Sequence, residues 1–193
     1  MKRKKIDIES MDIKMLILNL VLTQAITLLL AFLLYFLFQH YSPVEAVHSV
    51  LPKKTALSFI TGISFSLMVV FITLLLTFIV PKEWMDDGGI NEKLFKNLPV
   101  WSIAVISLSV GFIEEFLFRG AIQPLLGVFV TSLIFLLIHF RYLNKWVLSL
   151  STIIISLGLG FLAYYVEWVA AFIAHSSIDF FLGVMIRKGK LHY

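Results

Sequence analysis

The strongest constraint in this sequence is a succession of apolar runs close to the length that crosses a lipid bilayer, about 20 residues each. Six can be read. They are Met15–Gln39, about Thr55–Val80, about Val100–Ile122, a shorter one at about Gly127–Tyr142, Trp146–Tyr165 and about Trp168–Ile186. Pro81, Lys82 and Glu83 stop the second, and Arg187, Lys188 and Lys190 stop the last. Hydrophobic residues make up 60% of the 193 residues and charged residues 15%, whereas a soluble domain carries about 45–50% and about 25%. A soluble core cannot hide that much apolar surface, because a domain of about 150 residues still exposes about 30% of its chain's surface. The expected fold class is therefore all-α, a polytopic transmembrane helix bundle of about six membrane-spanning helices. Cysteine is absent, which removes disulfides, thiolate metal sites and cysteine nucleophiles together.

The first run is too long for the core of a cleaved secretory signal, and no small-x-small cleavage site follows it, so it reads as a retained anchor. Trp101 and Trp146 mark one membrane boundary, and Tyr164, Tyr165 and Trp168 the other, as aromatic belts do. Pro81–Pro99 reads as a turn through Asp86, Asp87, Gly88 and Gly89 followed by a short amphipathic segment along the surface. With the N-terminus cytoplasmic, that side holds Lys2, Arg3, Lys4, Lys5, Lys14, Lys82, Lys93, Lys96, Arg141, Lys145, Arg187, Lys188 and Lys190, 13 of the 16 cations. Lys53, Lys54 and Arg119 fall on the other side. The positive-inside rule then favours both termini in the cytoplasm, in an integral protein of the cell membrane. The pI near 9.3 is thus a topology signal, and nucleic acid is not an expected partner.

Few charges lie inside the apolar runs: Glu114, Glu115 and Arg119 on the third, His139 on the fourth, His175 and Asp179 on the sixth. Each costs several kcal/mol at membrane depth, roughly 2.5–3.5 on insertion scales, so they are expected to face inward toward one another and water. Glu115 and Arg119 are four residues apart and can pair on one helix face; His175 and Asp179 repeat that spacing, and so do Phe135 and His139. Glu114 points about 100° away from Glu115, so one carboxylate can neutralise Arg119 while the other looks into a cavity. Two carboxylates with two imidazoles can activate water. The imidazoles could ligate a metal or donate to a developing oxyanion, and the sequence leaves both uses open. Small residues on the fifth run (Ser156, Gly160) and on the sixth (Ala170, Ala171, Ala174) read as permitting close helix approach. Glu167 reads as an interfacial residue.

Three of these segments together resemble the motifs of the CPBP family, which groups type II CAAX prenyl endopeptidases with abortive-infection and bacteriocin-processing or immunity proteins. Glu114, Glu115, Phe118 and Arg119 match its EExxFR-type motif, Phe135 to His139 its FxxxH motif, and His175 to Asp179 its HxxxN/D motif. The resemblance covers about Val100 to Ile186 and implies three parts. Residues 1–99 are anchor helices and connector, 100–186 the catalytic core, and 187–193 a basic tail. It implies an intramembrane endopeptidase acting on a peptide or membrane-protein substrate among membrane lipids. Glu114 would be the water-activating base, His139 its partner, and His175 with Asp179 would flank the scissile carbonyl. Glu115, Arg119 and Phe135 would support them. If a metal is used, Zn²⁺ or another divalent ion, Glu114, His139, His175 and Asp179 are the implied ligands; a metal-free mechanism is equally open. Prenyl-processing members carry Asn where this chain has Asp179. Neither an HExxH helix nor a GxSxG elbow occurs. Two other classes fit buried Glu, His and Asp: a non-catalytic immunity or regulatory partner of the same fold, and a proton-coupled carrier.

Overall fold

The computed structural model describes residues 12–191 apart from 50, 52, 86 and 87, so the cationic leader, Asp86 and Asp87 lie outside the described residues. Among the described residues all regular structure is helical. In chain order it comprises α1 (Ile13–Leu34), α2 (Pro43–Ser49), α3 (Thr55–Ile79), α4 (Lys82–Met85), α5 (Ile90–Phe95), α6 (Val100–Glu115), α7 (Gln123–Ile138), α8 (Trp146–Tyr165) and α9 (Trp168–Arg187). Two π-helical stretches, Tyr35–Gln39 and Phe116–Ile122, extend α1 and join α6 to α7.

Among the described residues five helices are long and apolar enough to cross a membrane: Ile13–Gln39, Thr55–Ile79, Val100–Ile138, Trp146–Tyr165 and Trp168–Arg187. The protein is an all-α integral membrane protein. The third and fourth predicted runs fall within one of these five, whose helix continues past Ile122 and breaks at Gly127, where the fourth predicted run begins. That run is not straight. Gly127 takes φ 77 and ψ 171, a conformation open essentially to glycine alone, and the chain doubles back there. Phe118 and Phe135 consequently stack edge-on with centroids 4.9 Å apart, although 17 residues of straight helix would separate them by about 26 Å. The returning arm, residues 128–138, rises about 16 Å, too short to cross on its own, and ends at His139.

The helix α9 is the axis of the bundle. Inside the protein 44% of its span is buried, against 17–28% for the other four, and α3, α6 and α8 pack around it. Small residues permit this, as predicted. A Cβ on Gly62 of α3 would lie 2.7 Å from the Ala170 carbonyl oxygen, and one on Gly111 of α6 would collide with Ser176. The two π-helical stretches pack on each other: Tyr35 stacks on Phe116 at 5.0 Å, and Gln39 Nε2 donates to the carbonyls of Gly120 (3.2 Å) and Ala121 (3.4 Å).

The two ends of the bundle differ in charge. At one end α4 and α5, the α7–α8 loop and the end of α9 meet. There Arg187 Nε donates to the Leu98 carbonyl at 2.6 Å, and Lys145 Nζ to that of Glu83 at 2.7 Å. This end carries Lys82, Lys93, Lys96, Lys145 and Arg187. The opposite end carries Lys53 and Lys54, whose backbone N–H groups donate to Glu167 at 2.9 and 3.2 Å. Arg119, counted toward that opposite side but expected to face inward from the third run, is interior, with 3% of its surface exposed.

Glu167 does more than sit at the interface, since it accepts from both lysine amides and from the Ser58 hydroxyl and so caps α3. Burial raises its carboxyl, but the Ser58, Lys53 and Lys54 hydrogen bonds and the Lys54 charge outweigh that and hold it below the ordinary 4.5. A lowered folded-state value means the stabilisation is present above the unfolded value and fades as pH falls through the folded one. Melting temperature should therefore fall below about pH 4.5 more steeply in wild type than in Glu167→Gln; parallel profiles from pH 7 to 3 would contradict this cap.

Candidate active site

The buried charges of α6 and α9 form one network. Glu115 has no exposed surface and Arg119 almost none. Arg119 Nε donates to Glu115 Oε2 at 3.0 Å. One terminal nitrogen of the guanidinium donates to the Ser156 carbonyl (2.9 Å) and hydroxyl (2.8 Å), the other to Gln123 Oε1 at 3.3 Å. Gln123 in turn donates to the Gly160 carbonyl at 3.0 Å. Ser156 and Gly160 therefore bind polar partners as well as permitting close packing, which corrects the reading of them as spacers. The guanidinium also lies over the Phe135 ring, 5.9 Å from its centroid, which ties the first motif to the second.

Glu115 offers its other oxygen to α9. His175 Nδ1–H donates to Glu115 Oε1 at 2.8 Å, which fixes the ring and leaves Nε2 facing Asp179 Oδ2 at 3.6 Å, longer than a hydrogen bond. A carboxylate that orients an imidazole through Nδ1 is a recurring way to set which nitrogen does the work. His139 is set similarly by its own helix end. Its Nδ1 lies 2.7 Å from the Phe135 carbonyl oxygen; since a carbonyl only accepts, the proton sits on Nδ1 and Nε2 is left for the cavity. Phe135 stacks beneath the ring at 4.5 Å, as predicted, and Tyr142 lies against it at 5.7 Å.

Glu114 points away from this network, as its helical position requires. Its Oε1 accepts from Gln24 Nε2 of α1 at 3.0 Å, and its side chain lines a cavity of about 190 Å³ with His139, His175 and Asp179. All four candidate catalytic residues thus face one space. A second lobe of about 200 Å³, lined from α3 and α8 by Leu76, Leu148, Ile155 and Leu159 together with the hydroxyl side chains Thr73, Ser151 and Thr152, meets the first at a wall that includes Asn91, His139, Tyr142, His175 and Asp179. The α4–α5 connector, predicted to lie along the surface, in fact closes over these lobes with Met85, Asn91 and Leu94. The cavity is consequently bounded by the connector at the cation-rich end.

Among the described residues no three His, Asp or Glu side chains stand close enough to share a metal ion. His175 has its Nδ1 on Glu115 and its Nε2 turned to Asp179, so these donors face each other rather than a common point, and the set in this arrangement does not fit a metal. Sequence reasoning also missed Gln24, Gln123, Asn91 and Tyr142. Gln24 shares its run with Asn19, Thr23 and Thr27, so nothing singled it out, and Asn91 and Tyr142 carried no signal.

A family profile described as type II CAAX prenyl endopeptidase Rce1-like matches residues 96–181, the stretch that carries all three motifs. The uncharacterized protein YpbD of Bacillus subtilis (strain 168) is 38% identical over 130 residues, 65% of this chain and 67% of that one. The chain belongs to the Rce1-like family. No solved structure matches it. Rce1-like proteins are generally proteases, so an intramembrane, CAAX-protease-like function is supported at the level of the family. The matched residues run from just before α6 into α9 and leave out α1 and α3, which nonetheless pack around the Rce1-like core and, through Gln24 and Thr73, reach its cavity or its acid.

Proposed function

We propose that this protein is an intramembrane endopeptidase that hydrolyses a peptide bond of a peptide or membrane-protein substrate, using a water activated by Glu114. The observation that carries this is the shared cavity of Glu114, His139, His175 and Asp179. Glu114 takes a proton from the water as its oxygen attacks the scissile carbonyl carbon, and His139 Nε2 orients that water. The proton then passes to the departing amide nitrogen as the C–N bond breaks, releasing an amine and a carboxylate without an acyl-enzyme. His175 and Asp179 flank the carbonyl. An Asp donates only when it carries a proton; a proton carried by Asp179 or by His175 Nε2 gives the oxyanion a donor where prenyl-processing relatives carry an Asn amide that can donate.

The leucine and isoleucine side chains of the second lobe suit an apolar substrate side chain or segment. The lobe adjoins a cleft of about 380 Å³ between α3 and α8, which shares Thr73, Leu76, Ser151 and Ile155 with it. By the positive-inside rule the cation-rich end, with both termini, faces the cytoplasm of the cell membrane, and the substrate reaches the cavity from that side. The inventory of peptides released by inverted and right-side-out vesicles tests both parts, with membranes containing wild-type or Glu114→Gln protein. Peptides absent from the Glu114→Gln sample and released by inverted vesicles are expected. Identical inventories would overturn the hydrolysis, and release by right-side-out vesicles alone would overturn the orientation.

A further inference from the structure

Gln24 stands on α1, outside the stretch shared with the family profile, and is 8% exposed. Its Nε2 donates to Glu114 Oε1 at 3.0 Å, while its own Oε1 is buried with no partner. An amide whose acceptor is orphaned weakens a helix interface, because a buried unsatisfied oxygen has lost its water. A leucine of similar size would pack there without that penalty. The bond to Glu114 is what the amide supplies in return, and it engages one oxygen of the acid only. From this asymmetry we infer that Gln24 is a positioning residue for the proposed base: it fixes Glu114 Oε1 from across the α1–α6 interface and turns Oε2 to the water. The helix α1 is then part of the site rather than an anchor alone. The inference rests on the proposed peptidase reading for what the positioned acid does, though not for the bond itself.

Two readouts on the whole chain in lipid test it. The first is the rate at which the apolar carbodiimide dicyclohexylcarbodiimide modifies Glu114, followed by mass spectrometry, which requires no substrate. The reagent adds across its C=N bond to the carboxyl oxygen and proton, so an acid released from its donor reacts faster. In Gln24→Leu the rate should rise about 10-fold, the scale of one hydrogen bond to a charged group. The second is kinetics on a peptide that wild-type but not Glu114→Gln membranes release. Here kcat should fall about 10-fold to 100-fold with KM and melting temperature kept. Unchanged labelling, or a lowered melting temperature with kcat per folded molecule intact, would overturn the inference and make Gln24 plain interhelical glue. Faster labelling in a protein that cleaves nothing would uphold the positioning and instead refute the peptidase.

Discussion

Glu114→Gln should lower turnover by about 10²–10⁴-fold, the usual loss when a positioned general base is removed, while the protein inserts and melts as wild type does. The substitution keeps the shape and an acceptor oxygen for Gln24 Nε2, so the contact at 3.0 Å survives as an amide–amide bond. The Glu115–Arg119–Ser156 network lies on another face of α6 and is untouched. What disappears is the capacity to take a proton from water. His139→Ala and His175→Ala should also lose activity, but each removes ring packing against Phe135, so Glu114→Gln separates chemistry from folding most cleanly. Cleavage of a true substrate at the wild-type rate by Glu114→Gln would remove Glu114 from the mechanism.

Arg119→Leu should have the largest effect on stability. It takes the guanidinium from Glu115, whose side chain is fully enclosed, and removes hydrogen bonds to Gln123 and to the Ser156 carbonyl and hydroxyl. Stripping one partner from a buried ion pair costs about 3–5 kcal/mol, because the remaining charge stays desolvated. Since Glu115 also orients His175, activity should fall with folded yield. Adding Glu115→Gln to Arg119→Leu should recover part of the stability, since the orphaned charge goes, without recovering activity. Wild-type yield and melting temperature in Arg119→Leu, read by fluorescence-detected size-exclusion chromatography after heating, would contradict the bracing role.

The candidate site was legible in the sequence to the extent that charge is conspicuous in hydrocarbon. Glu114, Glu115, Arg119, His139, His175 and Asp179 stand out because ionised groups at that depth require partners, and four-residue spacings foretell which of them share a helix face. Uncharged polar partners were not legible. Gln24 and Gln123 differ little from neighbouring Thr and Asn residues until the helix opposite is known, and Ser156 looks like any small packing residue although its hydroxyl and carbonyl hold Arg119. The bundle itself followed from apolar run lengths, but the hairpin at Gly127 did not. A glycine between two apolar segments is equally consistent with two separate spans, and only the Phe118–Phe135 contact reveals a return arm. The connector was misjudged for a related reason: Leu94 and Met85 have an apolar face that suits a membrane surface as well as the cavity roof they form.

In the proposed mechanism, acids and imidazoles from three membrane segments share one water. An experimental density map of the protein in lipid, at a resolution that shows ordered solvent, tests it most directly. The expected result is one water within hydrogen-bond distance of both Glu114 Oε2 and His139 Nε2, with the His175–Asp179 pair on the same cavity wall. Apolar side chains packed between Glu114 and His139, with no solvent common to them, would contradict it.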